Sequence, residues 1–422
     1  MGNIENNKDV NANSFANKKF IIKIVGIILI ICVLILGGYF VYGKYKNYEI
    51  RKDPAKWVIH GYSSDYASNT IATSSVTKMK ITMPQDTNSD ENNSGSSESK
   101  MMISALQNLS VETKTMANRK MNQGYYDLNI KYKNSKFIDL KLFVDKAGIV
   151  VSSPDLYDKN IFINWKDISK LNKESSSSSK IDFDKYKSIL TNDNSKLSDN
   201  YTNTLSEKLK PYIKKGGKSD VTYDDVNGKN KTISTDEVDL SLTNSEISSI
   251  VNDIISKASD DPEIKTLVKN KAKQFLAIVE KNNDYKKLGF TKSESNNFIN
   301  KFDKNYDEMT KKIKSSLKSS KVSNASGNVV AKFKLDSNNK LKQIDYEVKL
   351  SGNGDNYNGV SIDETTTTKI DASDSDVKIQ TLSRSDAEDL SNMDEYKQQD
   401  MSQQIESNLQ KRVTNKLMSS GL

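Results

Sequence analysis

Apolar residues fall into three patterns along this chain. Residues 24–41, IVGIILIICVLILGGYFV, form one unbroken apolar run with Ile24 and Val41 at its ends and no charge between them. Elsewhere apolar and polar residues alternate with a period of two, which predicts strands, or recur every three to four residues, which predicts helices. Strands are expected over 76–83, 109–116, 125–132, 137–144, 149–152 and 161–165. Further strands are expected over 221–226, 231–242, 328–335, 341–350, 360–370 and 377–382. The stretch 137–144 shows the pattern most plainly: Ile138, Leu140, Leu142 and Val144 take one face, and Asp139 and Lys141 the other. Turn chemistry separates the strands, at Asn134-Ser135, Asp145 to Gly148, Pro154-Asp155, Asn227-Gly228 and Ser337 to Lys340.

Helices announce their own starts. Thr243-Asn-Ser-Glu246 and Thr291-Lys-Ser-Glu294 are capping boxes ahead of apolar stripes, the second running through Phe298, Phe302, Met309, Ile313 and Leu317. Asp261-Pro262 is an N-cap followed by proline at the first helical position. Shorter helices are expected at 101–109, 186–190 and 385–388, and longer ones at 197–213, with Pro211 marking a bend or end, and at 394–418. The stripes are narrow, so each helix should lie with one face on a sheet. The order is meander, hairpin, three helices, meander, helix. One continuous sheet accommodates it, and two sheet-bearing lobes are the alternative. No internal repeat is evident.

The run 24–41 is long enough to cross a bilayer: eighteen helical residues span ~27 Å. Thirteen of the eighteen are Ile, Leu, Val or Phe. A cleaved signal peptide would have an apolar region of about 7–15 residues ending on a small-x-small site, and GGYFVYGKYKNY follows instead. An uncleaved signal-anchor is therefore expected. Lysines flank it on both sides, so the positive-inside count does not decide orientation. The large C-terminal part is expected outside, because long domains translocate largely regardless of nearby charge. Polar residues 1–17 read as a disordered tail, 18–46 as the anchor and 47–70 as a juxtamembrane segment. In that segment Pro54 and Trp57 settle at the headgroup boundary or cap the folded body.

Charge changes this picture little. The net charge is +8, but residues 1–60 hold nine Lys/Arg and four Asp/Glu, and the rest holds 54 against 51. Much of the excess flanks the anchor, where it meets anionic headgroups. No basic stripe with interleaved aromatics is evident, so no nucleic-acid partner is expected. The single cysteine, Cys32, lies inside the anchor and excludes an intrachain disulfide.

The stretch LKLFVDKAGIVVSSPDLYDKNIFINWKDI, residues 140–168, carries a strand pair and then a Pro-x-Leu-Tyr corner, here Pro154, Leu156 and Tyr157. It resembles a theme of uncharacterised single-pass membrane-anchored surface proteins of low-GC Gram-positive bacteria. The wider layout looks like the curved-sheet-plus-helices build of LolA- and LppX-type lipoprotein carriers. That resemblance implies architecture and brings no catalytic residues. This chain lacks the lipobox by which those carriers are anchored.

Candidate chemistry is sparse. The one histidine, His60, is expected on the juxtamembrane surface rather than in a nucleophile's triad. Zinc sites need Cys and His that are not here. EF-hand counting fails from both Gly228 and Gly359, leaving Asp355, Asp363 and Glu364 as a loose calcium set against a solvated loop. The Gly-rich stretch 351–359 opens no helix and reads as a hairpin loop, not a phosphate cradle. No catalytic, cofactor-binding or metal residue is nominated.

The expectation is an α+β protein: an N-terminal transmembrane helix, then a curved antiparallel sheet packed by amphipathic helices. Residues 71–385 form the extracytoplasmic domain with a flexible loop at 84–100, and 386–422 a C-terminal helical segment. The expected role is a membrane-anchored extracytoplasmic binding module for a hydrophobic or envelope ligand, not an enzyme. Its partners are the membrane, through 24–41, and a lipid or envelope protein. The alternative is a structural or protein-interaction protein of the cell envelope, with Met401, Ile405, Leu409, Val413 and Leu417 as a partner seam.

Overall fold

Among the described residues, twelve strands form one large, curved, unclosed sheet with helices laid against it. The fold comes from a computed structural model that describes residues 50–66, 68–82, 109–165, 195–224, 229–285, 291–319, 325–352, 361–373, 377–390 and 392–418. The tail 1–17, the anchor 24–41 with Cys32, the loop 84–100, the helices at 101–108 and 186–190, the Asn227-Gly228 turn and the Gly-rich loop 353–360 lie outside the described residues. Among the described residues, no helix is long and apolar enough to cross a membrane.

The chain opens with α1 (Pro54–Tyr66) and a first meander: β1 (Thr70–Thr82), β2 (Leu109–Asn118), β3 (Gln123–Tyr132), β4 (Ser135–Val144), β5 (Gly148–Ser153) and β6 (Tyr157–Asn164). Then come α2 (Ser195–Leu209) and the hairpin β7 (Ile213–Asp224) and β8 (Asn230–Thr243). Four helices follow, α3 (Asn244–Asp260), α4 (Pro262–Asn282), α5 (Lys292–Asn300) and α6 (Phe302–Ser319). β9 (Ala325–Leu335), β10 (Leu341–Gly352) and β11 (Ser361–Ser373) complete the second meander. β12 (Glu388–Asp389) and α7 (Glu395–Met418) end the described chain. β11 pairs antiparallel with β1 and so joins the two meanders into one sheet, in the order β12-β6-β5-β4-β3-β2-β1-β11-β10-β9-β8-β7. The single parallel pair among these strands is β12 with β6.

Local chemistry explains most boundaries. Both capping boxes form, at Thr243 with Glu246 and at Thr291 with Glu294, and Asp261 accepts from the Glu263 backbone N–H ahead of Pro262. Asp53-Pro54 repeats that N-cap and proline signature: Asp53 Oδ1 accepts from the N–H groups of Ala55 (3.1 Å) and Lys56 (3.2 Å). Lys133 and Asn134 both have positive φ, giving the tight β3–β4 turn.

Several expectations are corrected. The stretch 47–70 contains α1, which is buried at Ala55, Trp57, Val58 and Ile59; of the two alternatives for Trp57, it caps the folded body. His60 is half-buried on that helix, not a surface residue. Helix 197–213 ends at Leu209, and a 3-10 turn over Lys210–Tyr212 carries Pro211 into β7. The helix opened by Thr291 breaks at Lys301 into α5 and α6. Residues 377–383 form no strand, and the helix expected at 385–388 is a turn leading into β12. Their apolar residues plug a sheet face, which gives the segment tertiary anchorage without a ladder.

The main core lies where α1, α2 and α3 cover β7–β10: Trp57, Ile59, Leu205, Val238, Leu240, Phe333, Leu335, Leu341 and Ile370 share one buried cluster. Gly61 permits the close approach of α1. A Cβ there would stand 2.6 Å from Leu335 Cδ2 and 3.0 Å from the Asn339 carbonyl oxygen. The same junction is tied by Arg51 Nε, which donates to Asn339 Oδ1 (2.6 Å), and by buried Asp65, which accepts from the Leu341 N–H (2.8 Å) and the Ser373 hydroxyl (2.6 Å).

Candidate functional site

Cross-strand register places one row of side chains on a single face across eight strands. Leu240 faces Ala331, then Tyr346, Thr366, Thr77, Val111, Ile130 and Ile138 in turn. At the β8 end this row is buried under the helices: Leu240 is 7% exposed and Ala331 5%. In the middle it turns polar, with Thr77 and Thr366 hydroxyls 2.8 Å apart and the neighbouring Ser75 and Thr368 hydroxyls 2.9 Å apart. Beyond β1 it turns apolar again, and no residue of the row there is buried.

The same face continues through two neighbouring rows. Thr113, Leu128 and Leu140 face one another, as do Thr115, Tyr126, Leu142, Val151 and Ile161. All are half-buried except Tyr126, which is 43% exposed. The reverse face differs. Tyr125, Phe143 and Val150 are 4%, 4% and 0% exposed, covered by Ile379 and Leu382 of the segment that returns from β11. Arg384 lies over the Phe143 and Phe162 rings, 5.8 and 5.2 Å from their centroids, and pairs with Asp145. Among the described residues, the reverse face of β3–β6 is thus plugged over Tyr125, Phe143 and Val150, while the other is left as an open aliphatic floor about 14 Å from β3 to β6 at the usual strand spacing. Large apolar patches left in contact with water mark interaction sites, ligand grooves or aggregation liabilities.

The end of this floor is bounded by α7, held by the Pro154–Tyr157 corner. Arg412 donates to the Asp155 carbonyl oxygen (3.0 Å), the Phe137 carbonyl oxygen (3.0 Å) and Asp155 Oδ1 (2.6 Å), and Asn408 donates to the Leu156 carbonyl oxygen (2.9 Å). Of the expected seam on α7, Met401 is buried, Ile405 is half-buried, and Leu409 and Val413 are exposed. Beside α7 lies a polar cleft of about 300 Å³ lined by Tyr157, Lys159, Glu388, Lys397, Asp400 and Gln404. Glu388 accepts there from the Tyr157 hydroxyl (2.6 Å) and pairs with Lys159. The Glu388 bond pushes the Tyr157 hydroxyl up to about 12, and Lys159 holds the Glu388 carboxyl below its ordinary value.

At its other end the sheet rolls. β7 comes back to touch β11, and Lys369 Nζ donates to the Thr222 carbonyl oxygen (2.6 Å). Inside this roll Asp345 accepts from Thr367 Oγ1 (2.8 Å) and pairs with Lys334 (2.9 Å). Asp371 sits at a register shift between β1 and β11 and accepts from the Ser74 hydroxyl (3.1 Å). Burial pushes its carboxyl up to about 6, against the pull of Lys114 and Lys369, with Asp224 adding to the rise.

The remaining expected residues do not converge. Asp363 and Glu364 are adjacent on β11 and so point to opposite sheet faces, which prevents them from sharing a cation. Asp355 lies outside the described residues. Among the described residues no group of three or more His, Cys, Asp or Glu is placed to hold a metal ion. Burial lowers the His60 imidazole below its ordinary value, and its Nδ1 has no hydrogen-bond partner. The open floor was legible in part: the alternation over 137–144 named its residues, but nothing in that alternation says which face is covered. No family model matches this chain, and no curated protein matches it.

Proposed function

We propose that this protein is a membrane-anchored extracytoplasmic binding module whose open apolar floor on β2–β6 takes a hydrophobic, acyl-chain-bearing ligand. The observation that carries the reading is the contrast, among the described residues, between the two faces of β3–β6, one plugged by the segment after β11 and one left uncovered. The helix–sheet layer itself is a packed core, so the ligand is assigned to the bare floor rather than to a cleft beneath the helices. The expected anchor at 24–41 supplies the setting, since a tethered floor works next to a pool of acyl chains. Binding here needs no catalytic group, and none is assigned.

The test is extraction of the full chain in mild detergent, followed by mass spectrometry of bound lipid, beside the Leu128→Glu/Leu140→Glu double variant. A lipid that accompanies the wild type stoichiometrically and falls several-fold in the folded variant supports the reading. Equal retention by both, or an empty wild type, overturns it. A second reading, an interaction protein of the cell envelope, is favoured by the exposure of Leu409 and Val413 on α7. Leu409→Lys/Val413→Lys would then abolish capture of an envelope partner and leave lipid content unchanged.

A further inference from the structure

The helices α4–α6 form an arm that packs on α3 and on one another rather than on the sheet. Residues 261–319 hold 14 lysines against 8 acids, whereas all of residues 61–422 hold 54 basic against 51 acidic. The arm thus carries more than the entire positive excess of the body. Its lysines divide into two sets. Lys265, Lys269 and Lys314 face inward and pair with Asp307 (2.8 Å), Asp303 (2.8 Å) and Asp260 (2.6 Å), tying α6 to α4 and α3. Lys304, Lys311 and Lys312, with Lys301 at the start of α6, are all exposed. At 100° per residue they share one side of the helix, spread over ~16 Å along its axis. Glu308 is the acid among them, 3.9 Å from Lys304. Among the described residues no ion pair holds Lys301, Lys311 or Lys312.

Helix stability does not account for this stripe. Lys304 sits in the first turn of α6, where the helix dipole disfavours a cation, whereas Lys301 is the C-cap of α5. The opposite side of α6 already supplies its packing, through Phe302 and Tyr306, which are 3% and 6% exposed. The basic side is spare.

We propose that the outer side of α6 is a docking surface for anionic bilayer headgroups, which lays the arm on the membrane. The inference rests on the anchored reading in one respect. Eight residues separate the expected anchor, ending at Val41, from Ile50, the first residue of the buried core. Fully extended they reach ~28 Å, so the body is held against the bilayer and some side of it must meet headgroups. The Lys301–Lys312 side has the charge that complements them, and attraction at that range acts within a Debye length of the surface.

The experiment places the full chain in nanodiscs of phosphatidylcholine alone, or with about a third phosphatidylglycerol, and maps lysine acetylation by mass spectrometry. Labelling of Lys301, Lys304, Lys311 and Lys312 falls several-fold in the anionic discs, returns in about 1 M salt, and does not change at Lys349, which is exposed on β10. The K304E/K311E/K312E variant labels Lys301 equally in both discs, and its unchanged circular dichroism shows that the arm has folded. A chain that stays on the discs while the four lysines label alike in both overturns this inference alone. A chain that elutes apart from the anionic discs overturns it together with the anchored reading. Protection in neutral discs on addition of soluble polyphosphate reassigns the surface to a free polyanion and overturns the membrane assignment.

Discussion

Asp371 offers a perturbation whose size and direction follow from the roll. Burial raises its carboxyl to about 6 from an ordinary 3.8. A rise of about 2 pK units corresponds to ~3 kcal/mol. The side chain is half-buried rather than sealed, so solvent screening reduces this to about 1–2 kcal/mol. Because the folded-state value lies above the unfolded one, the folded chain favours the protonated acid. That contribution is full below the unfolded value near 4 and is lost as pH rises through 6. At pH 7.5 wild-type Asp371 is therefore a charged group that weakens the roll. Asp371→Asn keeps the carbonyl oxygen that accepts from Ser74 and removes the charge. Denaturant unfolding at pH 7.5 should show the variant about 1–2 kcal/mol more stable, with a melting point higher by a few degrees. The gap should shrink to about a third by pH 4.5, and near pH 3, below the unfolded value, the two proteins should coincide. A variant that is equal or weaker at pH 7.5, or a difference independent of pH, would refute the burial argument and leave Lys114 and Lys369 as the controlling partners.

Three further outcomes are expected. Gly61→Ala drives a methyl into Leu335, which is fully buried, and the Asn339 carbonyl, so overpacking should cost about 1–3 kcal/mol despite alanine's better helix propensity, read by thermal melting. Arg412→Ala removes three hydrogen bonds to the Phe137–Asp155 corner, one to a carboxylate. It should cost about 1–2 kcal/mol and speed hydrogen exchange in α7 while β8–β10 stay protected. Leu240→Ala and Leu140→Ala delete the same atoms from one sheet face. The first opens a cavity under the helices and should cost about 2–4 kcal/mol, the second under about 1 kcal/mol because water already reaches it; equal losses would mean the floor is not open.

How far the sequence could be read depends on range. Strand existence, both capping boxes and the Asp261-Pro262 start depend on neighbours in the chain, and they stand where the alternation and spacing put them. The order of elements left one sheet and two lobes both open, and the β1–β11 pairing makes it one sheet. Asp53-Pro54 carried the same start signal as Asp261-Pro262, but its nearness to an apolar anchor left Trp57 open between the headgroup boundary and the folded body, where it is 2% exposed in the core. The first half of β7, IKKGGKSD, has too little apolar content to read as a strand; it is recruited by pairing with β8 through a register shift at Gly216-Gly217. Val377 and Ile379 alternate as a strand would, yet Ile379 and Leu382 pack on Tyr125, Phe143 and Val150 rather than pairing with a neighbouring backbone. No local pattern distinguishes those outcomes. The roll that raises Asp371 is equally silent in sequence, because it brings together Asp224, Lys369 and Lys114 from three separate strands.

Half of one sheet face is covered and half is bare, and the reason lies in the strands where coverage stops. Helix layers are held by apolar stripes against apolar rows, and the rows of β8–β10 supply Leu240, Phe333, Leu341 and Ile344. At β11 and β1 the row passes through Thr366, Thr368, Ser75 and Thr77, whose hydroxyls satisfy one another across the ladder. A helix laid over them would gain little apolar burial and would have to match a floor of paired hydroxyls. The helix layer therefore ends there on energetic grounds. Beyond that polar seam the apolar rows resume on β2–β6 with no helix of the described residues laid over them, because α7 is pinned at the strand ends by Arg412 and the segment after β11 is committed to the reverse face. The bare floor is thus a consequence of two fixed features, a hydroxyl seam that halts the helices and a plug that takes the other side, and an apolar occupant is the simplest partner for what they leave uncovered.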